Sequence, residues 1–173
     1  MLLMKKILLS IIGISLIISC NKGNGIIENS ELNFHLGTDN SIKLFQSFDN
    51  AWKNLNYSSM KEMIADSISF EFHDGRVATN SDEFFAFIKQ DAEKEKLLGN
   101  EYSWTNDFVF SVDINPNSGG EWVNAGFTSD LDSVQNGVIK KVYNEWYFFN
   151  KNDKLELWYQ AIRVVKDREL VDF

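Results

Sequence analysis

Few residues in this chain carry side chains suited to chemistry near neutral pH. Histidine occurs at positions 35 and 73 and cysteine once, at position 20. Glu71 and His73 stand two apart, which on a strand places them on one face, where they could work as an acid-base pair. The same alternation sets them opposite Phe70 and Phe72, so a solvated polar face is the favoured reading. His35 falls in a polar stretch, so a shared histidine metal site is not expected, and no metal or other cofactor is read from the chain. The sequence has no Gly-x-Ser-x-Gly elbow, no phosphate-binding glycine loop and no His-x-x-x-His or Cys-x-x-Cys pair, and Gly119-Gly120 reads as turn chemistry. What does recur is a set of neutral hydrogen-bonding groups, Asn106, Ser129, Asn144 and Gln160, near tryptophans at 52, 104, 146 and 158. Such groups can stack against a molecule and orient it without exchanging protons with it.

The elements that must position these residues can be read from hydrophobic periodicity. Ile42, Phe45, Phe48, Trp52 and Leu55 recur at steps of three and four, one stripe of a helix. A shorter helix follows, with capping-box spacing at Ser59 and Glu62 and an apolar face of Met60, Met63 and Ile64. Ile68, Phe70 and Phe72 then alternate with polar residues as a strand does, before Asp74-Gly75 turns the chain. Asn80 and Glu83 can cap a third helix, whose buried side is Phe84, Phe85, Phe87 and Ile88 and whose end is marked by Gly99. Four strands are expected beyond Tyr102, the last three near 121–132, 137–150 and 154–165 and joined by hairpin-length connections. Helices, one strand, a helix and then an antiparallel run make an α+β domain.

The simplest hairpin registers pair Ile114 with Glu121, Asp132 with Gly137 and Asn150 with Lys154. They gather Phe108, Phe110, Val112, Val123, Ala125, Phe127, Val142, Trp146, Phe148, Trp158, Ile162 and Val164 on the face that the helices cover. Asn106 then falls opposite Ser129, and Asn144 opposite Gln160, within that apolar surface. Two arrangements fit: a small-ligand pocket contacted by Trp52, Trp104, Trp146 and Trp158, or an ordinary core in which the polar groups satisfy one another. In the first case the ligand is expected to be largely apolar and uncharged. The other face carries Tyr143, Glu145, Tyr147 and Tyr159 beside Trp122, which points to a homodimer or partner contact centred on the three tyrosines, or to a wet outer face.

Over residues 41–167 this order of elements resembles the nuclear transport factor 2-like superfamily, which includes SnoaL-like proteins and ketosteroid isomerases. The local carriers are Leu55-Asn56-Tyr57-Ser58-Ser59-Met60-Lys61-Glu62-Met63-Ile64-Ala65-Asp66 at the first helix junction and Glu145-Trp146-Tyr147-Phe148-Phe149-Asn150-Lys151-Asn152-Asp153-Lys154-Leu155 at the last hairpin, with Ser81-Asp82-Glu83-Phe84-Phe85 between them. The resemblance implies a cystatin-like cone, a curved antiparallel sheet wrapped around N-terminal helices. It also implies dimerisation through the sheet and, in isomerase-like members, a carboxylate base near the end of the first strand and a tyrosine acid in the first helix. Those two positions fall here on Phe72 and Phe48, which cannot exchange protons. The expectation is therefore a ligand-binding or interaction module; the alternative is a SnoaL-like enzyme of isomerase, cyclase or hydratase type acting on a small hydrophobic substrate.

At the amino terminus Lys5 and Lys6 precede an uncharged run from Ile7 to Ile18, shorter than the roughly 20 residues a spanning helix needs. Ile17-Ile18-Ser19-Cys20 looks like a lipobox. Residues 1–19 read as a lipoprotein signal peptide, Cys20 as the lipidated residue, 20–40 as a flexible spacer and 168–173 as a tail; a cleaved signal or uncleaved anchor with an incidental cysteine is the competing reading. The expected location is a bacterial cell envelope, lipid-anchored to the membrane, on the periplasmic or surface side of an outer membrane. With Cys20 acylated, no thiol remains for other chemistry. The net charge of −8 becomes more negative when the two signal-peptide lysines are removed, which disfavours nucleic acid as a partner.

Overall fold

The computed structural model describes residues 35–117, 119–135 and 138–166. Cys20, the signal segment and the tail lie outside the described residues. In chain order the elements are β1 (His35–Leu36), α1 (Asp39–Lys53), α2 (Tyr57–Met63), β2 (Ile64–Glu71), β3 (Val77–Ala78), α3 (Ser81–Leu97), β4 (Thr105–Asp113), β5 (Gly120–Gln135), β6 (Val138–Asn150) and β7 (Leu155–Lys166). The strands form one curved, unclosed sheet in the order β1-β4-β5-β6-β7-β2-β3. All its pairs are antiparallel except β2 and β7, which run parallel with Phe70 beside Trp158. The α+β class and the helices against the concave face agree with the sequence reading. His35 and Leu36, inside the stretch read as spacer, are strand β1 and pair with Asp113 and Val112.

The helices form where their ends are satisfied and one stripe can be buried. In α1, Phe45, Phe48 and Trp52 are buried, with Asp39 in the first turn and Lys53 in the last, each at the favourable end of the helix dipole. Leu55, expected on that stripe, lies beyond the helix in a left-handed conformation and is partly exposed. Helix α2 starts at Asn56, whose side chain accepts the Ser59 N–H at 3.2 Å, so the cap stands three residues before the Ser59 and Glu62 pair. Helix α3 starts as its sequence indicates: Asn80 accepts the Glu83 N–H at 3.0 Å, while the Glu83 carboxylate accepts from Thr79. Gly99, at φ +79°, ends it. Phe48, Phe84, Phe70, Trp158 and Tyr147 meet at the centre of the core with mostly edge-on ring contacts.

Every long hairpin slips by one residue from the simplest register. Strand β5 keeps Val123, Ala125 and Phe127 inward, but Val123 pairs with Ser111 and Tyr147, one residue from the Val112 and Trp146 that the assumed registers put opposite it. A one-residue slip reverses every side chain of a strand. Phe108 and Phe110 therefore face outward at 46% and 41% exposure, and β6 turns Tyr143, Glu145, Tyr147 and Phe149 inward while Asn144, Trp146 and Phe148 face out. A bulge between Phe148 and Phe149, opposite Leu155 to Leu157, slips β7 by one more residue and restores it, so Trp158 and Gln160 remain inside. A second bulge, between Asn106 and Phe108, turns Asn106 inward opposite Phe127, not opposite Ser129.

Candidate functional site

Between α1, the end of α3, the 101–104 loop and the concave sheet lies a cavity of about 430 Å³. Its walls combine the aromatic Trp52, Tyr102, Trp104, Phe127, Tyr143 and Tyr147 with charged side chains, among them Asp49, Arg76, Asp91, Lys94, Glu95, Lys141 and Glu145. Trp52 and Trp104 stand nearly perpendicular with centroids 6.0 Å apart, and Tyr102 meets Trp104 in the same way at 5.5 Å. The Trp52 indole donates to the Tyr102 hydroxyl at 3.2 Å, and the Trp104 indole donates to Asp49 at 2.8 Å, so both rings are fixed at their polar ends.

Glu145 is the chemical centre of this cavity, at 5% exposure. On β6 and β7, Tyr147 pairs with Trp158 and Glu145 with Gln160, and all four side chains point inward. The Tyr147 hydroxyl and the Trp158 indole N–H (3.0 Å) donate to Oε2 of Glu145, while Gln160 Nε2 donates to Oε1 at 2.8 Å. His73 Nδ1, at the cavity mouth, lies 2.5 Å from Gln160 Oε1 and holds that amide with its NH₂ toward the carboxylate. Burial drives the Glu145 pKa up, reinforced by the Asp49 carboxylate, and the three hydrogen bonds oppose that rise. Burial likewise pushes the Tyr102, Tyr143 and Tyr147 phenols up, so all three stay neutral donors. Among the described residues no cation lies within ion-pair distance of Glu145: Arg76 is held by Asp74 and Asp91, Lys141 by Glu95, and Lys53 by Asp49.

The structure divides the residues singled out from sequence. Trp52, Trp104, Ser129 and Gln160 line the cavity, and Trp158 lies behind Glu145. Asn106 faces inward but is not a lining residue, and its buried Nδ2 has no hydrogen-bond partner among the described residues. Asn144 and Trp146 are on the outer face, where Asn144 bonds Asn124 and Trp146 meets Phe110 and Trp122 edge-on. Of the three tyrosines assigned to an outer contact, Tyr143 and Tyr147 line the cavity; Tyr159 is outside, stacked on Trp122 at 5.7 Å. Phe48 and Phe72 are buried core residues. His73 is exposed but belongs to the cavity mouth, whereas Glu71 pairs with Val77 and Tyr159 outside the cavity lining. Glu145 was missed because the simplest register put it outward. A glutamate flanked by Tyr143, Trp146 and Tyr147, in a strand otherwise rich in aromatics, is the signal that could have found it. Among the described residues no cluster of three or more His, Cys, Asp or Glu side chains could hold a metal ion.

No family model and no curated protein sequence matches this chain. Solved structures do. An uncharacterised protein with a cystatin-like fold from Caulobacter vibrioides is 12% identical, with a TM-score of 0.59 over 79% of this chain and 94% of its own. A candidate ketosteroid isomerase from Kribbella flavida is 8% identical (TM-score 0.53, 75% and 82% covered). A candidate SnoaL-like polyketide cyclase from Shewanella denitrificans is 12% identical (TM-score 0.52, 71% and 90% covered). What these proteins share with this chain is the fold, which is nuclear transport factor 2-like.

Proposed function

We propose that this domain encloses a small, largely apolar molecule in the cavity and presents it to Glu145, as a lipid-anchored binding protein of a bacterial envelope. The observation that carries the reading is a buried carboxylate, held by three neutral donors, in the wall of an aromatic cavity whose volume suits a small ligand. A filled cone serving only interaction through its outer face would leave no such space. The anchoring part rests on Ile17-Ile18-Ser19-Cys20. The test is a ligand screen followed by tryptophan fluorescence, since Trp52 and Trp104 line the site. Binding should quench or shift their emission and be lost in Ser129→Trp, which fills the cavity; a binder unaffected by that substitution would place the ligand elsewhere.

A second reading, proton-transfer catalysis on a small hydrophobic substrate, is favoured by one observation. Glu145 combines a pKa raised by burial with a position facing the cavity, the properties of a general acid or base. The names of the Kribbella and Shewanella proteins, an isomerase and a cyclase candidate, support it by fold analogy alone. A turnover assay on such substrates decides it: Glu145→Gln should abolish turnover while binding persists.

A further inference from the structure

We infer that the molecule taken by the cavity is an organic cation, an ammonium head on an apolar body, with the head against Glu145 and the body between Trp52, Trp104 and Tyr143. This rests on the cavity being a binding site and adds the charge class of its ligand.

Three observations carry it. The donors around Glu145 are arranged for an acceptor without a proton of its own: Oε2 accepts twice, from Tyr147 and Trp158, and Oε1 accepts from Gln160. An ionised carboxylate offers about four acceptor sites, so one remains on Oε1 that no donor among the described residues fills. Second, among the described residues no ion pair compensates this charge. Of the cations lining the cavity, Arg76 holds two carboxylates and Lys141 holds Glu95, and neither they nor Lys94 makes an ion pair with Glu145; Asp49, in the same wall, is itself paired with Lys53. A buried anion lacking a counter-charge is costly, and a ligand that brings one recovers that cost on binding. Third, the walls carry tryptophan and tyrosine rings, Trp52, Trp104 and Tyr143 among them, whose faces attract a cation through the ring quadrupole.

Three ligands with one carbon skeleton test this on the full chain: 3-phenylpropylammonium, 3-phenylpropan-1-ol and 3-phenylpropionate, titrated near pH 7.5 by tryptophan fluorescence and calorimetry. The ammonium should bind roughly tenfold tighter than the alcohol, as expected of a charged hydrogen bond replacing a neutral one, and the carboxylate should bind weakest. Glu145→Gln should bring the ratio of ammonium to alcohol affinity near one. If that variant fails to fold, the indole N–H resonance of Trp158 in the wild type decides, because it bonds Glu145 directly; it should move on binding the ammonium far more than on binding the alcohol. An alcohol that binds as well as the ammonium overturns the cation assignment and leaves the cavity reading standing. No binding by any of the three overturns both.

Discussion

The indole N–H of Trp158 meets Oε2 of Glu145 at 3.0 Å across neighbouring strands, and the register of those strands makes the contact. Tyr147 lies directly opposite Trp158 and Glu145 directly opposite Gln160, so two adjacent inward pairs supply one acceptor and three donors. Moving β7 by one residue would turn Trp158 and Gln160 outward and strand the carboxylate in apolar surroundings. The bulge at Phe148 and Phe149 is therefore part of the site, although it lies outside the cavity.

The first prediction concerns the cost of this carboxylate. Its folded pKa is raised above the unfolded value of about 4.3, so protonation favours the folded state. The stabilising contribution is present below the unfolded pKa and is lost as pH rises through the folded one. Glu145→Gln, which cannot ionise, should melt above the wild type at pH 8, and the difference should shrink as pH falls toward 4.5. Asp74 and Glu95, whose pKa values hydrogen bonds and cations lower, lose stability over the acid range in both proteins and cancel in the comparison. Thermal melts across pH 4.5 to 8 check it; a wild type that gains on the variant as pH rises would contradict the assignment.

Much of the fold was legible because helix caps and apolar stripes are local signals. Asn80, Glu83 and Gly99 act where their types indicate, and Phe45, Phe48 and Trp52 bury the stripe that their spacing draws. Strand register is not local. It depends on turn geometry at Gly119 and Gly120, both at positive φ, and on two bulges that alternation does not announce. On β6 both faces carry aromatics, Tyr143 and Tyr147 inside, Trp146 and Phe148 outside, so the pattern itself could not choose between them. A register one residue off misplaces Phe108, Phe110, Asn144, Trp146, Tyr143, Tyr147 and Glu145 together, while Trp158 and Gln160 keep the inward face because two slips cancel.

The turn that sets the β5 register should be intolerant of a side chain. Gly120 has φ +103°, and a Cβ there would lie 2.8 Å from the Phe149 carbonyl oxygen and 2.7 Å from the Phe148 ring. Gly120→Ala should cost about 2 kcal/mol, combining backbone strain with overpacking. Gly75, at φ +88° in open space, is the control, and Gly75→Ala should cost about 1 kcal/mol from strain alone. Urea unfolding of the two variants gives the ranking, and equal costs would show that the contacts at Gly120 relax freely.

Asn106 offers a gain. Its buried Nδ2 has no partner among the described residues, a donor taken from water without replacement. Asn106→Leu should raise unfolding stability by about 1 kcal/mol, since a side chain of similar size removes the unmet donor. Ligand affinity should be unchanged because Asn106 does not line the cavity. A loss of stability on chemical denaturation would show that the amide has a partner, such as a buried water.

Anchoring is tested at Cys20. The Ile17-Ile18-Ser19-Cys20 segment behind a short apolar run should direct acylation of that cysteine, and Cys20→Ala should abolish both lipid attachment and membrane partition. Mass spectrometry of protein from the native cell reads the first and fractionation the second. An unmodified Cys20 would end the lipoprotein reading.

The outer sheet face carries the last prediction. Phe108, Phe110, Trp122, Trp146, Phe148 and Tyr159 form a continuous run of ring contacts there, from the stacked pair Phe108 and Phe110 at 6.2 Å to Trp122 and Tyr159 at 5.7 Å. Phe108 and Phe110 are also among the most exposed large apolar side chains described. An apolar surface of this extent on an antiparallel sheet is characteristic of a contact surface, and self-association would cover it. The centre of such a contact is Phe110 and Trp146, because Tyr143 and Tyr147 belong to the cavity. Phe110→Lys and Trp146→Glu each place a charge where two copies would meet, so the wild type should scatter light as a dimer and both variants as monomers. Ligand binding should survive in both, since neither residue lines the cavity. A wild-type monomer at high micromolar concentration would leave this face to another partner or to solvent.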